Sequence, residues 1–203
     1  TGVVEVGLGI FSGEWHPGHG LDHGEILRES IDQVVHAERV GLDSVWVSEH
    51  HFHEAQFVGS VAPYAAAMIQ ATTRITVGLG LALAPLHDPI RMAEDAAFLD
   101  VLSGGRCVVG LGLGYRDIEF EGFGGHRIER VGRTVELIEI CRQAWSGDPV
   151  EHDGRYYQRH GLVVSPRPHR PGGPPIMLGG HHPNAIERAA ALGDRYCMDA
   201  GTD

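Results

Sequence analysis

A short apolar run followed by an amphipathic stretch recurs along most of this chain, and few folds accommodate that rhythm. Residues 3–10 read as a first strand. Leu27, Ile31, Val34 and Val35 then recur at helical spacing, and Gly41 supplies the stop. Residues 44–47 read as a second strand, 61–72 as an Ala-rich helix and 75–83 as a third strand. Asp88 offers an N-cap and Pro89 a first helical residue for a helix over 90–102, which Gly104 and Gly105 end. Residues 107–113 read as a fourth strand. Val131, Val135, Ile138 and Cys141 place an apolar stripe on a helix that runs to about Trp145. A fifth strand at 175–178, a helix over 184–192 and a sixth strand at 195–199 complete the series.

The first four strands start near residues 3, 44, 75 and 107, about one βα unit apart, so parallel pairing through right-handed crossovers follows. Residues 147–174 break the rhythm with five Pro and with Gly154, Gly161, Gly172 and Gly173. They read as an inserted excursion within one domain spanning 1–203, with a small hairpin near Tyr156 and Val163. Two α/β architectures fit: an open doubly wound sheet or a (β/α)₈ barrel. A barrel typically needs about 250 residues. Six strands in 203 residues fall short by two βα units.

Composition excludes several functions. Sixteen basic against 27 acidic residues give a net charge of −11, which argues against nucleic acid as a partner. No apolar run approaches the roughly 20 residues of a membrane helix, and no secretory signal is expected. Cys107, Cys141 and Cys197 lack metal-like spacing and read as buried small apolar residues of a reducing, cytoplasmic setting.

Parallel α/β folds bind ligands at the carboxyl ends of their strands. After the second strand stands Ser48-Glu49-His50-His51-Phe52-His53-Glu54. Imidazoles here suit acid–base work or an anionic intermediate. Glu49, His51 and His53 also suit a metal-dependent hydrolase, and a solvated polar loop is the plain alternative. The third strand carries glycine at alternate positions, Gly78 and Gly80, a weak sign of close backbone approach. After the fourth strand, Gly110-Leu111-Gly112-Leu113-Gly114 lets a flat ligand approach the backbone or simply permits close strand packing. It is GxGxG with no clear helix directly after it, which disfavours a dinucleotide site. Gly179-Gly180-His181-His182 leads into a helix and suits either an anion or a plain β-to-α turn.

Taken together, these segments resemble the bacterial luciferase-like family of flavin-dependent monooxygenases. The likeness rests on Ser48 to Phe52, Val77-Gly78 through Pro85, Asp88-Pro89-Ile90-Arg91, Leu102 to Arg106, Gly110 to Tyr115 with Phe120 and Phe123-Gly124, Pro174-Pro175-Ile176 with Gly179-Gly180, and Ala191 to Asp194. The resemblance implies a (β/α)₈ TIM barrel that lacks strands 7 and 8, hence a piece of a longer protein. It makes His50 the catalytic histidine, with Glu49 beside it near the flavin. It implies a non-proline cis bond at Gly80–Leu81 under the flavin ring, Gly112 and Leu113 at the flavin edge, and Gly179, Gly180, His181 and Arg130 at the cofactor phosphate. Gly112 and Leu113 stand where luciferase has a reactive Cys and an Arg, which disfavours light emission. The implied reaction uses reduced FMN from a separate flavin reductase, O₂ and a small organic substrate. The deazaflavin coenzyme F420 with hydride transfer is the alternative. A non-catalytic flavin-binding protein is a further one. The family also implies a homodimer built on helices after strands 2 and 3. Loop 11–24 and the 147–174 excursion are expected to shape the substrate pocket.

Overall fold

The computed structural model describes residues 4–18 and 20–198. Six parallel strands form one sheet: β1 (Gly7–Phe11), β2 (Ser44–Val47), β3 (Thr76–Leu83), β4 (Cys107–Gly112), β7 (Ile176–Gly179) and β8 (Arg195–Cys197). Helices α1 (His23–Val40), α2 (Val61–Ala71), α3 (Pro89–Ser103), α5 (Arg130–Ser146) and α6 (Pro183–Leu192) connect them. β5 (Val150–Asp153) and β6 (Gln158–Leu162) make an antiparallel hairpin, as the sequence suggests for the excursion.

Capping chemistry fixes the helix limits. Asp22 and Glu25 form a capping box at the start of α1, and Gly41 ends it in the left-handed conformation. The Asp88 carboxylate accepts from the Ile90 and Arg91 amides, Pro89 follows, and left-handed Gly104 closes α3.

Strand order decides between the two architectures. A doubly wound sheet reverses its order at a switch point. Here the neighbours run β1-β2-β3-β4-β7-β8 without reversal, so the sheet curls in one sense. Its outward side chains, Val45, Val47, Val77, Leu79, Val109, Ile176 and Leu178, join Met68, Ile69, Leu99, Leu137 and Ile140 in one core. The result is an incomplete barrel. β4 lies deepest, with all six residues buried.

The inner face is built differently. Trp46 lies across Gly78 and Gly80, where a Cβ would run into its ring or its Cβ. Leu81 lies across Gly110, Gly112 and Gly179, where added Cβ atoms would come within 2.8, 3.2 and 3.1 Å of it. The glycines thus make room for two large side chains, which cover this part of the inner face. The peptide Gly80–Leu81 is cis, and the β3–β4 register shifts between Leu79 and Ala82 around it.

Several expectations need correction. The described part of the first strand is β1, beginning at Gly7; residue 3 lies outside the described residues, as does residue 199 of the sixth strand. A short helix, α4 (Asp117–Gly122), follows β4 where no helix was expected. It lacks a side-chain N-cap, which removes the usual sequence signal. On α5 the buried residues are Thr134, Leu137, Ile138, Ile140, Cys141, Ala144 and Trp145, and Val131 is exposed. Cys107 and Cys141 are buried, but Cys197 is only partly so.

The excursion spans α3 from end to end. Arg159 pairs with Asp88 at the N-cap at 2.6 Å. Arg170 pairs with the fully buried Asp100 in the last turn at 2.7 and 2.9 Å, and also donates to the Cys107 carbonyl. Among the described residues, no helix is long and apolar enough to cross a membrane.

Candidate active site

Extended backbone sends residues i and i+2 to one side and i+1 to the other. The run after β2 follows this rule. Glu49 and His51 meet, with Oε1 2.6 Å from Nε2, while His50 goes the other way.

Glu49 is 2% exposed. Its Oε2 accepts from the Leu83 amide at 2.7 Å, and His87 Nε2 lies 2.8 and 3.0 Å from the two oxygens. Burial alone would raise its pKa. The hydrogen bonds from His51 and His87, the charge of His87 and the Leu83 amide outweigh burial and hold it down to about 2. For His87, burial opposes the charged form, but the Glu49 hydrogen bond and charge, with Asp95, hold the imidazole above its usual value. The sequence signal for His87 was available: it stands just beyond the carboxyl end of β3.

A second clamp comes from α4. Arg116 donates to the His51 carbonyl at 2.7 Å and the Phe52 carbonyl at 3.3 Å. Glu119, 1% exposed, accepts from the His51 amide at 3.2 Å. Phe52 sits at φ 52°, and its ring fills the notch left by Gly122. The Phe123 ring meets His51 edge-on at 4.6 Å. The loop after β1 lies alongside, through Trp15 to Ala55 and Val58 to Ser12 backbone bonds.

His50 is half-buried, and its amide donates to the Val58 carbonyl at 2.9 Å. Burial pushes its imidazole below the usual value; the Glu119 charge opposes this, and His53 and Arg116 add to it. A neutral imidazole at neutral pH is thereby favoured, as a proton acceptor requires.

The other sequence-named residues share the carboxyl end of the sheet. Gly80 and Leu81 lie in β3, Gly112 ends β4 with Leu113 next, and Gly179 ends β7. Gly180 has φ +129°, and exposed His181 follows it. His182 caps α6 by accepting from the Asn184 amide at 3.2 Å. Arg130 opens α5. Arg188 of α6, missed in the sequence, lies near it: burial lowers the Arg188 pKa, and the Arg130 charge adds to this. Neither guanidinium meets a carboxylate among the described residues, so the pair forms a local positive site. The metal reading does not assemble. His53 Nδ1 accepts from the Ala55 amide, and among the described residues no three His, Cys, Asp or Glu side chains are grouped to hold a metal.

A family model described as luciferase-like monooxygenase matches residues 7–203. The chain belongs to the luciferase-like monooxygenase family. Among its relatives is the oxygenase component of a flavin-dependent trigonelline monooxygenase of Acinetobacter baylyi, 29% identical over 83% of this chain and 47% of the relative. Another is an F420-dependent glucose-6-phosphate dehydrogenase of Amycolatopsis mediterranei, 32% identical over 86% of this chain and 54% of the relative. The solved monooxygenase RslO1 of Streptomyces bottropensis superposes with a TM-score of 0.86 at 26% identity, over 92% of this chain and 57% of that one. The chain therefore spans about half the length of the luciferase-like relatives it matches.

Proposed function

We propose that this luciferase-like chain carries the cofactor-binding and acid–base side of a flavin-dependent monooxygenase that uses reduced FMN, O₂ and a small organic substrate. The observation that carries the reading is the inner face itself. Trp46 and Leu81 cover the glycines on the inner face of the strands that present His50 and lead to Arg130 and Arg188.

Those residues fit the group. A planar ring system suits an inner face lined by glycines, and a phosphate suits two neighbouring guanidiniums, at the start of α5 and on α6, that meet no carboxylate among the described residues. Reduced flavin, when bound, supplies the electrons that activate O₂. The chain's part is positioning and proton handling. Leu81, Gly112 and Leu113 border the ring site. Arg130, Arg188, Gly179, Gly180 and His181 hold the phosphate end. His50, neutral at neutral pH, accepts or returns a proton on an imidazole nitrogen, while the Arg116 and Glu119 contacts keep its loop in place. Glu49 acts through the imidazoles it holds, because its own oxygens are engaged.

A deazaflavin site is the second reading, favoured by the F420-dependent relative. The trigonelline relative's description as an oxygenase component supports a separate flavin reductase as partner. A homodimer and a cytoplasmic setting complete the proposal; exposed Phe98 and Val101 on α3 offer apolar surface for a second copy.

Anaerobic titration of the purified chain with reduced FMN and, in parallel, reduced F420 tests the reading. Saturable FMN binding that Gly180→Asp abolishes and His50→Ala spares supports it. Binding of F420 alone transfers the site to the second reading, and binding of neither overturns both.

A further inference from the structure

Beyond cofactor and substrate, one feature of the site is unexplained by catalysis at His50: a single buried carboxylate lies between two imidazoles. We propose that His87 is a positioning residue that clamps the Glu49 carboxylate opposite His51 and so fixes His51, when neutral, in the tautomer carrying its proton on Nε2. This rests on the geometry of the chain and not on the identity of the cofactor.

An ionised carboxylate only accepts hydrogen bonds. The 2.6 Å contact between Glu49 Oε1 and His51 Nε2 therefore needs the proton on that nitrogen. Nδ1 is then left with a lone pair on the side of Gly59, where a Cβ would stand 3.0 Å from it. The tautomer holds only while the carboxylate stays put. The Leu83 amide pins one oxygen, and His87 Nε2 spans both.

His87 is itself held from several elements. Glu49 faces it from the end of β2, and Asp95 from α3. Tyr157 of the hairpin donates to its carbonyl at 3.5 Å, and the Asp88–Arg159 pair lies beside it. Cys141 of α5, protonated by burial, reaches the neighbouring Pro89 carbonyl. The excursion thus reaches the site through His87, which gives the 147–174 segment a contact with the site's outer wall.

The test is nitrogen-15 spectroscopy of the histidine-labelled chain from pH 5 to 9, which reads tautomer and protonation directly and needs no cofactor. Wherever His51 is neutral, wild type is expected to carry its proton on Nε2, and His87 is expected to titrate above the ordinary histidine value. His51 should show a small step at the same pH, and His87→Gln should abolish that step. Glu49→Gln should return His87 to ordinary titration and mix the His51 tautomers. If Glu49→Gln does not fold, the wild-type series and His87→Gln decide alone. His51 with its proton on Nδ1, or His87 titrating at or below the ordinary value, overturns the proposal. So does a His51 step that persists in His87→Gln.

Discussion

Replacing Glu49 with glutamine removes one charge and almost no volume, so its effect isolates the electrostatics of the site. Two routes give the magnitude. The carboxyl is held at about 2 against an ordinary 4.5, and each unit is worth 1.36 kcal/mol, so ionisation in the fold contributes about 3 kcal/mol at pH 7. Independently, three donors (His51 Nε2, His87 Nε2 and the Leu83 amide) lose a charged acceptor, and each such bond nets about 1.5–3 kcal/mol. The glutamine oxygen recovers part of this, which brings the second figure to the same order. Urea unfolding at pH 7 should therefore show Glu49→Gln less stable by about 3 kcal/mol, or roughly 6–12 °C in Tm for a chain of this size. The sign with pH is fixed. A depressed carboxyl stabilises above its unfolded value of 4.5 and loses that contribution as pH falls toward 2. His87, whose value is raised, contributes fully below 6.5 and loses its share as pH climbs through its folded value. The gap between wild type and Glu49→Gln should be widest from about pH 4.5 to just above 6.5 and close in acid. A gap under about 1 kcal/mol at pH 7, the size of an exposed ion pair, or one that stays constant down to pH 3, would refute the reasoning.

Other outcomes follow from the same contacts. Gly78→Ala drives a Cβ into the Trp46 ring and should cost about 1–3 kcal/mol in denaturant titration, with Trp46→Leu relieving most of it. Arg170→Ala removes the guanidinium from the fully buried Asp100 and leaves it the residue-170 amide at 2.8 Å, so it should cost about 3 kcal/mol, the low end for a broken buried pair, by the same assay. Arg116→Ala frees the His51 and Phe52 carbonyls, and hydrogen exchange at residues 51–53 should speed up while the β4 amides stay protected. Burial pushes the Cys107 thiol up to about 12 and raises Cys141 as well, so neither should react with a thiol reagent at pH 8 until the chain unfolds.

Much of the fold was legible because backbone punctuation is local. Asp88-Pro89, Gly41 and Gly104 mark helix ends through side-chain and glycine chemistry that acts over three or four residues. Strand order is not local, so periodicity left two α/β architectures open; the family resemblance pointed to the incomplete barrel, and the pairing of β4 with β7 bears it out. Short α4 had no cap to announce it. On α5 the apolar stripe misled because Val131 faces outward, and the polar Thr134 takes a buried place. In the site, the family resemblance set Glu49 beside His50 near the flavin, and strand alternation joins the Glu49 side chain to His51. His87 and Arg188 were missed because their partners lie on other elements: His87 stood just past a strand end, but the carboxylate that gives it a role is 38 residues away.

The Arg159–Asp88 and Arg170–Asp100 ties bear on how the chain reaches this structure. β7 begins at Ile176, roughly twice as far from Cys107 as Cys107 is from Thr76. Doubling a flexible connection adds only about 0.6 kcal/mol to closure. By docking on α3 at Arg159 and at Arg170, the excursion divides that long connection into three shorter ones. A segment tied to one helix at two points can vary only where it touches nothing outside itself: exposed residues 160–163 can change in length or sequence, whereas Tyr157, against the His87 carbonyl, and Val164, buried in the core, hold the segment to the rest of the fold.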